Sequence, residues 1–168
     1  MAFELRDVVG YEGLYRVTSD GRVFRAAATP RMEKAYPAGS ELTQGANAKG
    51  YMRVGLRKDG KTRTRPVHQL VLEAFVGPRP PDLVGRHLDD NKSNNCADNL
   101  IWGTQAENVQ DSVRNGTQVN ARKTHCPANH RYDEANTRWV AVNGVPRTGR
   151  ACRKCDLIRY HQKKGRAA

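Results

Sequence analysis

Two short Cys/His pairs in the last third of the chain limit what this region can fold into. They are Cys126 with His130 and Cys152 with Cys155, which gives the spacing C-x3-H-x21-C-x2-C. Two chelating pairs separated by a loop are typical of a tetrahedral zinc site with thiolate and imidazole ligands. Four protein ligands leave no position for a substrate, so the predicted site is structural. His125 could compete as a ligand, but the x3 spacing favours His130.

The predicted zinc site explains how so polar a segment folds. Residues 121–168 contain twelve lysines and arginines against three acidic residues, a net charge of +9 out of +12 for the whole chain. Metal binding supplies folding free energy to a segment with few apolar residues. The sequence therefore predicts a C-terminal zinc knuckle over residues 122–168, with Zn²⁺ as a structural cofactor. Cys96 stands alone in a polar loop and is interpreted as a small packing residue.

The concentrated positive charge restricts the partners of the chain. A basic segment attracts phosphates because binding releases counterions, which favours nucleic acid. Charge alone leaves acidic membranes and acidic proteins open. No apolar run approaches the roughly eighteen residues that cross a bilayer, and the start, MAFELRDVVGYEG, lacks the pattern of a signal peptide. We expect a soluble cytoplasmic protein with no membrane partner.

Two β-hairpins are predicted before residue 67. The runs LYRV and RVF flank the turn residues SDG, and YMRVGLR and KTRTRPV flank Asp59-Gly60. In the second hairpin Met52, Val54 and Leu56 alternate with polar residues, so we expect one apolar face and one cationic face. The sequence predicts an N-terminal hairpin module over residues 1–25 and a basic β-hairpin over residues 51–66.

A ββα unit is predicted after the hairpins. HQLVLEAFV (68–76) has the pattern of a buried helix that ends at Gly77-Pro78. A short apolar run near Val84, the polar loop LDDNKSNNCADN and the run LIWGT follow. Thr104 and Glu107 form a capping box for a helix that ends at Asn115-Gly116. The whole unit is too short for a parallel βαβ crossover.

Polar residues in this unit suit phosphodiester hydrolysis. His87 ends the first strand, an Asn-rich loop follows, and Asn108 lies one turn into the second helix. Such an arrangement can place an imidazole beside a metal bound by oxygen atoms. The imidazole would deprotonate water, and a divalent cation would stabilise the charge on the phosphate and the leaving oxygen.

At these residues the chain resembles the HNH homing endonuclease domain of phages. The run VHQLVLEAFVGPRPPDLVGRHLDDNKSNNCADNLIWGTQAEN (67–108) is similar to the family pattern of a VHRLVA-AF helix, a DH-DGN-NN loop and NL-W-T---N. The segment GYEGLYRVTSDGRVF resembles the small module that often precedes this domain, and HCPANHRYDEANT with GRACRKC resembles a zinc-binding extension found on phage HNH proteins. The resemblance implies an α+β protein with a central ββα-metal (His-Me finger) nuclease core over residues 67–118.

The resemblance also implies an activity and roles for individual residues. The expected function is hydrolysis of double-stranded DNA, as a nick or a double-strand break, with Mg²⁺ or Mn²⁺. His87 occupies the position of the general base, Asn99 that of the residue that braces the loop, and Asn108 that of a metal ligand. Asn91 and Asn95 match loop-shaping asparagines. His68 matches the first histidine of the pattern and is interpreted as structural support.

The chain departs from the family pattern at two positions. Arg86 stands where many relatives have an acidic metal ligand, and a guanidinium cannot bind a metal. We expect Arg86 to contact the scissile phosphate, and Asp89 or the adjacent Asp90 to supply an oxygen ligand. Asp90 also replaces the loop glycine of the family, and aspartate tolerates a left-handed backbone better than most residues.

Basic residues outside the nuclease core are the candidate contacts to DNA phosphates. We expect these contacts to position the duplex and carry no sequence information themselves. The candidates lie in the second hairpin and in the zinc knuckle: Arg53, Arg57, Lys61, Arg63, Arg65, Arg150, Arg153 and Lys154.

Other functions stay open from the sequence. Arg86 could have ended metal catalysis, which would leave a non-catalytic DNA-binding protein on the HNH scaffold. An RNA-binding zinc-knuckle protein would account for the basic tail but not for residues 67–108. Some HNH proteins similar to this chain assist phage terminases, so a terminase is a further candidate partner, and a phage-encoded protein would act in the cytoplasm of the host cell.

Overall fold

A computed structural model describes residues 3–27, 37–142 and 145–165 of the chain. The chain divides into two compact units, Met1–Gln105 and Ala106–Ala168. The α+β class predicted from the sequence is confirmed, with N-terminal hairpins, a central core and a C-terminal Cys/His cluster. The predicted modules at 1–25 and 122–168 each include a few positions outside the described residues.

The first unit begins with a three-stranded antiparallel sheet. Its strands are β1 (Leu5–Asp7), β2 (Tyr15–Thr18) and β3 (Val23–Arg25), in the order β1-β2-β3. Val17 pairs with Val23, and both are fully buried. The β2–β3 hairpin is the one expected from LYRV and RVF, and Gly21 occupies its turn with φ +88°.

A second antiparallel sheet contains the basic hairpin. Its strands are β4 (Gly45–Ala46), β5 (Met52–Lys58) and β6 (Lys61–Pro66). Asp59 and Gly60 both have positive φ, 51° and 74°, which matches the right-handed twist of a two-residue hairpin turn.

The expectation of one apolar and one cationic hairpin face is wrong. The two-residue turn fixes the register so that Val54 lies opposite Arg65 and Leu56 opposite Arg63. Directly opposite residues of an antiparallel pair project from the same face. Arg63 and Arg65 therefore share the face of the buried Val54 and Leu56. Arg53, by contrast, lies opposite Pro66 and projects from the other face.

Helix α1 (Val67–Phe75) provides the centre of the hydrophobic core of this unit. Val67, Leu70, Val71 and Leu72 are completely buried, and full burial of such a side chain contributes about 1.5–3 kcal/mol. The helix begins directly after β6. Its end is marked by Gly77, whose φ of +123° is accessible to glycine.

The ββ part of the predicted ββα unit packs against α1. Strand β7 (Val84–His87) pairs with β8 (Leu100–Gly103), and a 3-10 turn (Ala97–Asn99) leads into β8. Gly85 lies against α1: a Cβ there would come within 2.8 Å of Leu72 Cδ1 and 2.9 Å of His68 Cδ2. This close approach brings the end of β7, and with it His87, next to the helix.

The second unit contains helices α2 (Gln105–Arg114), α3 (Val119–Arg122) and α4 (Arg153–Gly165). Strands β9 (Thr137–Val142) and β10 (Val145–Cys152) form an antiparallel hairpin that the sequence reading did not predict. Gly116, with φ +68°, follows α2 at the predicted stop. No helix in the described part of the chain is long and apolar enough to cross a membrane.

Candidate active site and metal centre

His87 lies at the C-terminal end of β7 and is 4% exposed. Its Nε2 is 3.3 Å from Asn95 Oδ1, and Asn95 is itself 5% exposed. Burial lowers the pKa of His87, although the contact with Asn95 and the nearby Asp89 and Asp90 oppose this shift. Burial therefore favours the neutral imidazole, which is the form that can accept a proton.

Two aromatic rings surround His87. The His68 ring lies 5.1 Å from the His87 ring in an edge-to-face arrangement, and the Tyr51 ring lies 5.9 Å from it. His68 Nδ1 is buried and has no hydrogen-bond partner among the described residues. Burial, followed by the influence of His87, lowers the pKa of His68 to about 4. The structure thus places His68 as a neutral packing partner of His87.

Asp89 and Asn99 brace the loop that follows His87. Asn99 Oδ1 accepts a hydrogen bond from the Asp89 backbone N–H (3.0 Å), and Asn99 Nδ2 donates to Asp89 Oδ1 (2.8 Å). Asp89 also accepts hydrogen bonds from the Asn91 backbone N–H and from Asn94 Nδ2. Desolvation raises the pKa of Asp89, but these hydrogen bonds and His87 outweigh it, so the pKa lies below its ordinary value. The carboxylate is charged at neutral pH and holds the loop together.

The remaining predicted nuclease residues lie around this loop and on the following helix. Arg86 is 8% exposed and directly precedes His87 at the end of β7. Asp90 has φ +60°, the left-handed conformation that the loop requires. Asn108 lies in α2, which belongs to the second unit.

The sequence reading did not anticipate the contact between Asn95 and His87. Asn95 is one of four asparagines between residues 91 and 99, and nothing in the loop sequence distinguishes it from the others. Only its burial and its contact with Nε2 do so.

The four residues of the C-terminal Cys/His pattern form one cluster. One ligand atom from each of Cys126, His130, Cys152 and Cys155 lies within 4.8 Å of the others, so the cluster could hold a metal ion. His130 Nδ1 is 3.3 Å from Cys155 Sγ and 3.6 Å from the other two sulfurs. His125 is exposed, with its Nδ1 3.0 Å from Thr124 Oγ1.

Asn136, which the sequence reading missed, supports this cluster. It is 5% exposed, its Nδ2 lies 3.4 Å from Cys152 Sγ, and its Oδ1 accepts a hydrogen bond from the Lys154 backbone N–H. Desolvation would raise the pKa of Cys152, but hydrogen bonds from the Cys155 backbone N–H and Asn136 outweigh it and lower the pKa to about 6. Burial and the neighbouring Cys126 raise the pKa of Cys155 to about 11. Three thiols and one imidazole so close together are chemically suited to bind a metal cation, which takes the place of the thiol protons.

The candidate DNA-binding residues of the hairpin lie in different surroundings. Lys61, Arg63 and Arg65 line a cleft with Lys58 beside Gly10 and Tyr11. Within this group Arg65 forms an ion pair with Glu73 of α1 (2.7 Å). On the other hairpin face, Arg53 is half-buried and donates a hydrogen bond to the Thr64 carbonyl (3.3 Å), whereas Arg57 is exposed.

Of the candidate DNA-binding residues in the second unit, Arg150 has the closest contacts with other residues of the protein. Its guanidinium lies 4.6 Å from the Tyr132 ring centroid and 5.9 Å from that of Trp139, and it donates a hydrogen bond to the Lys123 carbonyl. These contacts indicate a packing role. Arg153 and Lys154, at the start of α4, are exposed to solvent.

Two family models match the first unit and the segment that follows it. Residues 65–110 match the model described as HNH endonuclease, and residues 6–57 match the NUMOD4 motif. The resemblance to HNH endonucleases noted in the sequence is confirmed.

Two proteins illustrate the relationship. The DNA endonuclease I-HmuI of Bacillus phage SP01 is 38% identical over 114 residues, which is 68% of this chain and 60% of that protein. An uncharacterized HNH endonuclease, L245 of Acanthamoeba polyphaga mimivirus, is 34% identical over 51% of this chain and 24% of that protein. This chain thus spans less than two thirds of the length of either relative.

The fold of I-HmuI is also similar. A solved structure that describes DNA binding and cleavage by this HNH homing endonuclease matches this chain with a TM-score of 0.56 at 38% identity. The match covers 68% of this chain and 60% of that one.

Proposed function

We propose that this chain, which carries an HNH endonuclease domain preceded by a NUMOD4 motif and is homologous to I-HmuI, is a metal-dependent endonuclease that hydrolyses DNA phosphodiester bonds. The observation that carries the proposal is the surroundings of His87. Within the matched segment this histidine is buried, contacted by Asn95 and flanked by a loop that Asp89 and Asn99 hold in place.

His87 acts as the general base in this proposal. Its neutral imidazole takes a proton from a water molecule, and the resulting hydroxide attacks the phosphorus. His68 and Tyr51 hold the ring in place, because both rings contact it from within the core. Proton transfer by a positioned histidine contributes about 10²- to 10⁴-fold to the rate.

The catalytic divalent cation, Mg²⁺ or Mn²⁺, has oxygen ligands in this proposal. The candidates are the Asp89 carboxylate and the Asn108 side-chain amide, and hard cations prefer oxygen donors. When bound, the cation would stabilise the negative charge on the phosphate and the leaving oxygen. Arg86 supplies no lone pair and has the role of contacting the phosphate.

The Cys/His cluster binds structural Zn²⁺ in this proposal. With Zn–S near 2.3 Å and Zn–N near 2.0–2.1 Å, a tetrahedral site has ligand-to-ligand separations of about 3.5–3.8 Å. The sulfurs of Cys126 and Cys155 are 3.6 Å apart, and His130 Nδ1 lies 3.3–3.6 Å from the three sulfurs. These separations fit one zinc ion bound through Nδ1.

Cleavage of supercoiled plasmid in the presence of Mg²⁺ or Mn²⁺ tests the proposal. We expect the wild type to cleave and His87→Ala to lose about 10²-fold or more of the rate. His161→Ala, on the exposed surface of α4, is the matched control and should cleave at the wild-type rate. Equal cleavage by the wild type and His87→Ala would refute the general-base assignment. Asn108→Ala, assayed over a series of Mg²⁺ concentrations, tests the predicted metal ligand in the same way.

A non-catalytic DNA-binding protein is the second candidate, and Arg86 is the observation that favours it. A buried cation occupies the position at which many relatives have an acidic metal ligand. If the wild type binds DNA but cleaves with none of several divalent cations, this second function is the correct one. Arg86→Asp should then gain cleavage, because it restores an oxygen ligand.

A further inference from the structure

We propose that the β2–β3 turn of the N-terminal sheet, acting through Asn95, sets the tautomer of His87 so that Nδ1 is the nitrogen that accepts the proton from water. This inference rests on the proposed role of His87 as general base. Asn95 and Gly21 do not touch the substrate in this scheme. Both are positioning residues. Because Gly21 lies in the NUMOD4 segment, this segment has a role in catalysis in the scheme.

The β2–β3 turn packs directly against the loop that carries Asn95. A Cβ on Gly21 would lie 2.7 Å from Asn95 Cβ and 3.1 Å from the Asn95 carbonyl oxygen. The Ala97 backbone N–H donates a 2.7 Å hydrogen bond to the Ser19 carbonyl of the same turn. On the other side, Gln44 Nε2 donates to the Gly21 carbonyl (2.8 Å). The turn is therefore held against the loop at two points around Asn95, and Gln44 anchors it from the opposite side.

The hydrogen bonds of Asn95 fix which end of its amide faces His87. Asn95 Nδ2 donates to the Ser93 carbonyl (3.2 Å), which can only accept. Oδ1 is thereby directed at His87 Nε2, 3.3 Å away. An amide oxygen cannot donate, so Nε2 must carry the hydrogen in the neutral imidazole, and the lone pair is on Nδ1.

This arrangement survives proton transfer. Nδ1 takes the proton, the O–H bond of the water breaks, and its electron pair forms the new O–P bond. The P–O bond to the leaving oxygen breaks, and this oxygen takes a proton from solvent. The hydrogen on Nε2 stays directed at Asn95 Oδ1 throughout, so Asn95 also stabilises the imidazolium.

The first test reads the tautomer of the wild type directly, without any activity measurement. The full chain is labelled with ¹⁵N-histidine, and long-range ¹H–¹⁵N correlations are recorded at a pH at which His87 is neutral; His87→Gln identifies the His87 signals. We expect Nε2 to resonate as the protonated nitrogen and Nδ1 as the unprotonated one. A proton on Nδ1, or an equal mixture of tautomers, would overturn the inference even if the protein cleaves DNA.

The second test uses matched glycine substitutions in the N-terminal module. Gly21 and Gly13 both have left-handed φ (+88° and +70°), but a Cβ on Gly13 meets nothing within 4 Å. Both variants place alanine in a left-handed backbone, but only Gly21→Ala puts a Cβ against Asn95 and displaces it. We expect Gly21→Ala to lower kcat about 100-fold with DNA affinity unchanged, and its His87 signals to shift toward a mixture of tautomers. Gly13→Ala should keep the wild-type kcat and tautomer.

Substitutions of Asn95 complete the test. Asn95→Ala removes the acceptor and should lower kcat and mix the tautomers, whereas Asn95→Asp keeps an acceptor at Nε2 and should restore the wild-type tautomer. An Asn95→Ala variant with the wild-type tautomer would refute the role of Asn95. If Gly21→Ala and Gly13→Ala reduce kcat equally, the turn acts on stability alone and the inference fails.

Discussion

The two units of the chain are held together by different interactions. The first unit has a continuous hydrophobic core in which nine valine, leucine and tyrosine side chains of the N-terminal sheet, the basic hairpin and α1 are less than 5% exposed. The buried residues of the described part of the second unit are Cys126, Cys152, Asn136 and Asp111, with Gly149 in β10. Its large apolar side chains, such as Leu157 and Ile158 of α4, are exposed.

This difference shows where each unit obtains its folding free energy. Burial of apolar surface suffices for the first unit, whereas the described residues of the second unit include too few buried apolar groups to offset chain entropy. The Cys/His cluster is the candidate substitute for a core, because the metal ion proposed to bind there would supply folding free energy in place of packing. The two tryptophans report on the units separately, because Trp102 lies in the first and Trp139 in the second.

The largest expected effect is the removal of the metal. Chelation, or Cys152→Ser, should unfold the second unit, because structural zinc contributes about 10–16 kcal/mol in small zinc domains. The first unit should keep its thermal transition, measured by Trp102 fluorescence in a Trp139→Phe background. One zinc per chain is expected by metal analysis. If the metal-free protein still protects the backbone amides of its second unit from hydrogen exchange, metal binding does not hold this unit together.

A smaller effect is expected from truncation within the hydrophobic core. Leu70→Ala in α1, at a completely buried position, should lower the free energy of unfolding of the first unit by about 3–5 kcal/mol. Leu157→Ala in α4 removes the same atoms from a side chain that is 57% exposed and should change stability by less than about 0.5 kcal/mol. Denaturant titration followed by the fluorescence of each tryptophan measures the stability change of each unit separately. Equal changes would mean that packing matters equally in both units.

The pH dependence of the first unit should reflect His68. The pKa of His68 is about 4 in the folded protein, below its ordinary value of 6.5 in an unfolded chain, so the unfolded chain binds more protons between these two pH values. The free energy of unfolding should therefore fall by up to about 3 kcal/mol as the pH decreases from 6.5 to 4. Above pH 6.5 this loss of stability is absent, because His68 is neutral in both states. His68→Phe, which retains a ring beside Tyr51, should flatten the profile measured at Trp102. An unchanged profile would assign the acid sensitivity to another group.

The smallest of the four effects concerns Asn136, which supports the Cys/His cluster. Asn136→Ala removes the amide at Cys152 Sγ and the acceptor of the Lys154 N–H. Loss of such an outer partner lowers metal affinity by about 10- to 100-fold, which competition with a zinc chelator can measure. Gln162→Ala, at an exposed position of α4 in the same unit, is the control. Identical zinc affinities of the two variants would limit Asn136 to a role in the backbone fold.

Much of the fold follows from local patterns that the sequence displays. Asp59-Gly60 and the turn at Gly21 predict the two hairpins, because positive φ in a tight turn favours glycine and aspartate. The spacing of the two ligand pairs indicates the Cys/His cluster of Cys126, His130, Cys152 and Cys155. Strands β9 and β10 escaped prediction, because Trp139 and its neighbours face solvent and show no alternation of buried and exposed residues.

The sequence by itself determined the α+β class, the HNH motif from His87 to Asn108 and the identity of the four cluster residues, because turn chemistry, helix stops and ligand spacing are local properties. Only the tertiary structure decided which residues contact one another across the chain. The hairpin register placed Arg63 and Arg65 on the face of the core, and the fit of Gly21 against Asn95 selected one asparagine among four to contact His87. Such pairings depend on steric fit between distant segments, which residue patterns along the chain do not encode.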